Sequence, residues 1–170
     1  MSPSIDCPQS IVPLYAMRSP SFFTLSCAVL SSVLAFSMAP SVQAAPRQAV
    51  QFFNQPGTSS PFSEAVQVGR HLYLSGQLGL VPGKGTLASG GLAAETKQAL
   101  ANTKASLERY GYSMRDVVKC TVLLADMADF SAFNRVYLSA FSKPYPVRTL
   151  FAVNGLAFGA RVELDCIAAK

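Results

Sequence analysis

Arg148 and Glu163 stand fifteen positions apart in the last 23 residues of the chain, RTLFAVNGLAFGARVELDCIAAK. An arginine offers a planar fork of N–H donors that fits a carboxylate, and a glutamate can take a proton from water and return it to a leaving group. Both residues lie in β-forming stretches on either side of a glycine-bearing loop, which predicts two strands. If those strands lie close in one sheet, the pair makes a small-molecule site; the bland alternative is a structural ion pair. Metal chemistry has little to work with. His71 is the single histidine, and no CxxC or Cys/His ligand spacing occurs, so neither a metal nor another cofactor is expected.

The elements that must position this pair follow from hydrophobic pattern. Ala65–Val68 and Leu72–Leu74 read as short strands around a Gly69-Arg70 turn. Ser75-Gly76-Gln77 follows, where the glycine marks either a bend or a place where a ligand approaches the backbone. Residues 79–91 form a glycine-rich loop. Leu92, Thr96, Ala99, Leu100, Thr103 and Leu107 share one face of a helix over 92–110, with Glu95 read as a first-turn complement to the dipole and Gly111 as its C-terminal stop.

Residues 117–124 (VVKCTVLL) are nearly continuously apolar, as an interior strand is. Asp126 or Asp129 is placed to cap a second helix over 130–141. Its aromatic stripe of Phe130, Phe133, Tyr137 and Phe141 reads as core, with Asn134 as a polar exception that needs a partner if buried. Pro144 and Pro146 then lead extended into Val147-Arg148. In the last strand Val162, Leu164 and Cys166 face one way, and Arg161, Glu163 and Asp165 the other. The expected fold is α+β, a mixed β-sheet with both helices packed on one face. The uncovered face, if apolar, calls for a second copy of the chain.

Composition sets the remaining bounds. Half of the 170 residues are apolar, enough for one core, with a net charge of +5. No run of Lys or Arg stands behind that charge, so nucleic-acid binding is not expected. Residues 1–44 read as a cleaved signal peptide. Arg18 precedes the uncharged apolar run 21–38, and Val42 and Ala44 fit the positions before a cleavage site after Ala44. Met17 is a better start for such a leader than Met1. A membrane anchor is the lesser alternative, since serines break the run; after cleavage no stable membrane association is expected, and the location is periplasmic. Residues 45–60 read as a partly ordered arm, and 61–170 as the domain. Cys7 and Cys27 leave with the leader. Cys120 and Cys166 remain, and export makes a disulfide chemically possible, but strand-interior cysteines are read as small buried thiols.

Several of these segments together resemble the Rid/YjgF family: Ser60 to Val66, Leu74-Ser75-Gly76-Gln77, Val117 to Val122, Asp126 to Phe130 with Asn134 and Tyr137, Pro146-Val147-Arg148, and Val162-Glu163-Leu164. The resemblance covers about residues 56–169. It implies a chorismate-mutase-like fold, a homotrimer with clefts between subunits, and hydrolysis of reactive 2-imino/enamine acids to 2-keto acids and ammonia. By the same resemblance Arg148 clamps the substrate carboxylate and Glu163 handles water and protons. Backbone at Gly76 and Leu150 contacts the substrate, with Ser75, Phe62 and Asn134 around it. Phe62 stands where many members carry Tyr, and Leu150 where many carry Cys, which makes the implied pocket more apolar. A non-catalytic trimer that binds small carboxylates, or a chaperone-like stress protein, is the competing reading. Ribonuclease activity ranks low, because no histidine pair and no basic stripe exist.

Overall fold

Alternation along the strands decides which way the sheet faces. The computed structural model describes residues 47–54 and 59–170; the expected leader and cleavage site, with Met17, fall outside the described residues. Strands β1 (Val50–Phe53), β2 (Ala65–Val68), β3 (His71–Leu74) and β4 (Gln77–Leu78) precede helix α1 (Gly91–Arg109). Strand β5 (Val117–Leu124), helix α2 (Phe130–Ala140), β6 (Val147–Ala152) and β7 (Val162–Ala169) complete the chain. The seven-stranded sheet runs β1-β2-β3-β7-β5-β6, with β4 also pairing β7. Among the described strands only β5 and β6 pair in parallel, which requires the α2 crossover between them. The expected α+β architecture, a mixed sheet with two helices on one face, is the one observed.

Leu72, Val122, Leu124, Val162 and Leu164 point from the sheet to the helices, where Leu107 and Phe133 meet them, all fully buried. The α1 face predicted from spacing is the buried one, from Leu92 through Leu107. Its small residues let the helix sit close to the sheet, and Asn102 Nδ2 donates to the Leu78 and Leu80 carbonyls at 2.9 Å, tying the glycine-rich loop to the helix. Gly111, at φ +80°, ends α1 in a left-handed conformation that favours glycine.

Four expectations need correction. The arm contains a strand: β1 pairs with β2 from Val50↔Val68 to Phe53↔Ala65, and Phe53 stacks on Tyr110 with ring centroids 4.4 Å apart. Its support comes from the ladder and that ring, neither of which leaves a period in four residues. Glu95 is not in the first turn of α1; it is buried, and its Oε2 accepts the Arg161 backbone N–H at 2.8 Å. Asp126 caps the 3₁₀ turn before α2 by accepting the Ala128 N–H, whereas Asp129 is drawn into a two-bond pair with Arg161 at 2.7 and 3.0 Å. Finally, Cys120 and Cys166 are joined as a disulfide, not left as thiols. They face each other directly across β5 and β7 with Cα atoms 4.2 Å apart, and neither strand read singly reveals that register.

The other face of the sheet is open. Phe52 and Val147 are 70% and 67% exposed there, and Val50, Tyr73 and Phe151 add to the same surface.

Candidate active site

Glu163 and Gly76 come together. The β4–β7 pairing sets Leu78 opposite Glu163, and the chain entering β4 then passes directly over the carboxylate. A Cβ on Gly76 would lie 2.0 Å from Glu163 Oε1, so any side chain there would displace the carboxylate. Ser75 holds this turn to the segment carrying Phe62: its Oγ donates to the Ser63 carbonyl at 2.7 Å and its N–H to the Glu64 carbonyl at 2.9 Å. That segment is in turn anchored on α1, because the Glu64 carboxylate accepts from Ser106 Oγ, Arg109 and Tyr110 Oη at 2.6–2.8 Å. Phe62, just before it, is 62% exposed.

Burial pushes the Glu163 carboxyl above its ordinary value, and the like charge of Asp165, two residues along on the same face, pushes it further. Glu163 has Leu123 opposite it on β5 and Leu78 opposite it on β4, and the Gly76 backbone passes over its carboxylate. A general base acts ionised, and its activity falls as pH drops through its pKa. Removing the Asp165 charge lowers that pKa. The acidic limb of a kcat/KM–pH profile is therefore expected to move to lower pH in Asp165→Asn, and an unmoved limb would remove Asp165 from this role.

Arg148 lies elsewhere. Strands β6 and β7 are not neighbours, since β5 runs between them. Arg148 is opposite Cys120 and so points to the helix side; Glu163 is opposite Leu123, three residues on, and points to the open side. Two strand spacings and three residues put their Cα atoms about 14 Å apart. The two residues do not meet within one chain, which corrects the expectation that closeness of their strands would join them and also removes the structural ion pair. The ion pairs among the described residues are Lys104–Glu108, Arg109–Glu64 and Arg161–Asp129. Leu150, two positions after Arg148 on the same side, is half-buried beside it. The Arg148 guanidinium carbon is 4.7 Å from the centroid of the Tyr137 ring and 5.5 Å from that of Phe133. Asn134 lies on α2 between Phe133 and Tyr137 in sequence, and its Oδ1 is buried with no hydrogen-bond partner among the described residues.

The predicted residues thus divide into two groups. Phe62, Ser75, Gly76 and Glu163 form one, and Asn134, Arg148 and Leu150 the other. The sequence reading missed Tyr137 and Phe133 as neighbours of Arg148, because a stripe at helical spacing looks the same whether it faces core or a cation. No group of three or more His, Cys, Asp or Glu suited to a metal occurs among the described residues. No described helix is long and apolar enough to cross a membrane.

A family model described as Endoribonuclease L-PSP matches residues 52–170. The chain belongs to this family, known as Rid/YjgF. A human 2-iminobutanoate/2-iminopropanoate deaminase is 42% identical over 122 residues, which cover 72% of this chain and 89% of the relative. The mouse protein of the same name is 43% identical, covering 73% and 92%. Among solved structures, RidA from an Antarctic Psychrobacter is similar with a TM-score of 0.64 and 39% identity, covering 73% of this chain and all of that one. The Escherichia coli TdcF structure with bound serine has a TM-score of 0.65 and 28% identity, covering 71% and 98%. The fold expected from the Rid/YjgF resemblance is therefore the fold found.

Proposed function

We propose that this Rid/YjgF protein hydrolyses 2-imino acids to 2-keto acids and ammonia, in sites that form between subunits of a homotrimer. The observation that carries the reading is the division of the site: the cation and the carboxylate of one chain lie on opposite sides of its sheet. A cleft with both needs Arg148, Leu150 and Asn134 from one subunit and Gly76, Ser75, Phe62 and Glu163 from the next. The open sheet face, with Phe52, Val147 and Phe151 exposed, supports association of copies, since monomers rarely leave such a face in water. The relatives named as 2-iminobutanoate/2-iminopropanoate deaminases support the chemistry.

In such a cleft Arg148 holds the substrate carboxylate by two parallel hydrogen bonds and so fixes the imine carbon. As the family resemblance implies, backbone at Gly76 and Leu150 orients the rest. Glu163 accepts a proton as water attacks the protonated imine carbon, which gives a carbinolamine. It then returns that proton to nitrogen, ammonia leaves, and the Glu163 carboxylate, ionised again, takes the hydroxyl proton as the carbonyl forms and passes it to solvent. A carboxyl with a raised pKa is suited to both transfers. Phe62 and Leu150 favour substrates with apolar side chains. We place the mature protein, from Ala45 onward, in the periplasm; the Cys120–Cys166 disulfide is in keeping with an oxidising compartment.

The test is imine lifetime. An amino-acid oxidase generates 2-iminopropanoate or 2-iminobutanoate in the presence of semicarbazide, with wild-type protein or Arg148→Ala. Wild type is expected to shorten the lifetime and the variant to lose roughly 100-fold or more of that effect. Inert wild-type protein across several side-chain sizes would overturn the enzyme and leave carboxylate binding.

A further inference from the structure

We infer that the aromatic face of α2 is a positioning device for Arg148, with Tyr137 as its principal residue; this rests on the function proposed above. Tyr137 has its ring centroid 4.7 Å from the guanidinium carbon, Phe133 follows at 5.5 Å, and Phe130 stands at 6.0 Å. The rings are themselves locked: Phe133 and Tyr137 are 5.4 Å apart, and Tyr137 and Phe141 4.7 Å. Ring faces carry negative potential and hold a cation without accepting its N–H bonds. An arginine steered by a carboxylate has its fork occupied before substrate arrives. One steered by rings keeps the fork free for the substrate carboxylate, and no carboxylate among the described residues pairs with Arg148.

The hydroxyl of Tyr137 is not what acts. Tyr137 is 3% exposed, and its Oη has no hydrogen-bond partner among the described residues. The ring is the working part, which separates two substitutions. Tyr137→Phe keeps the ring and discards an unsatisfied polar atom. Tyr137→Leu keeps an apolar core residue but removes the face on which the guanidinium rests.

Imine turnover and the binding of a stable 2-keto acid, 2-oxobutanoate, are measured for wild type, both Tyr137 variants and Arg148→Ala. Circular dichroism and sizing confirm fold and assembly. Tyr137→Phe is expected within about two-fold of wild type, and Tyr137→Leu to raise KM and the 2-oxobutanoate Kd about ten-fold with kcat nearly unchanged. A folded Tyr137→Leu that binds like wild type overturns the cradle while Arg148→Ala still reports on the site. If Arg148→Ala itself binds and turns over normally, the function reading falls instead. Should Tyr137→Leu not fold, the side-chain Nε–H resonance of Arg148 in ¹⁵N-labelled wild type decides, assigned by its loss in Arg148→Lys. A ring-current displacement supports the cradle, and a position among the exposed arginines overturns it.

Discussion

Arg148→Ala chains and Glu163→Ala chains, each inert alone, are expected to regain activity when they are unfolded together, mixed in equal amounts and refolded. In the arrangement proposed, each site takes its arginine from one subunit and its glutamate from the next. A site is intact when the first chain carries the glutamate defect and the second the arginine defect. Random assembly of a closed ring gives that order at about one site in four, so about a quarter of wild-type activity should return. The physical basis is the register: Arg148 opposite Cys120 and Glu163 opposite Leu123 cannot point to the same side of one sheet. A site within one chain restores nothing on mixing, because every chain then lacks one of the two groups. Mixed assemblies that stay inert, although mass spectrometry shows that they formed, would rule out the shared site.

Breaking the Cys120–Cys166 bond is expected to cost several kcal/mol of stability, about 4 kcal/mol at most. The bond closes a separation of 46 residues. Restricting the unfolded chain over that length is worth about 4 kcal/mol in the chain-entropy account, and strain or residual structure reduces the measured value. The bond also crosses β5 and β7 in the row where β5 meets Arg148, so it braces the strand next to the one that carries the arginine. The check is the denaturant midpoint of wild type against Cys120→Ala/Cys166→Ala, at one protein concentration because assembly adds its own stabilisation. A midpoint unchanged by the double substitution would show that the bond does not constrain the unfolded chain. Both cysteines are almost wholly buried, so reductant should act on the native protein only as fast as the core opens.

Local pattern was enough for much of this protein. The spacing Leu92, Thr96, Ala99, Leu100, Thr103, Leu107 is the buried side of α1. The alternation of β7 separates Val162, Leu164 and Cys166 from Glu163 and Asp165, because successive side chains of a strand must point to opposite faces. Several family motifs in order then supplied the fold and named candidate residues for the site. These are properties of short stretches, and short stretches are legible.

What depends on which strand lies beside which was not. Nothing in residues 147–169 reveals that β5 enters between β6 and β7, so the separation of Arg148 from Glu163 appears only in the assembled sheet. The disulfide needs two strands aligned at Cys120 and Cys166, a register set by side chains 46 positions apart. Strand β1 exists because β2 and Tyr110 receive it. The stripe on α2 became a support for a cation only when β6 brought Arg148 across it. Periodicity states which face of an element is apolar, and long-range pairing decides what that face meets.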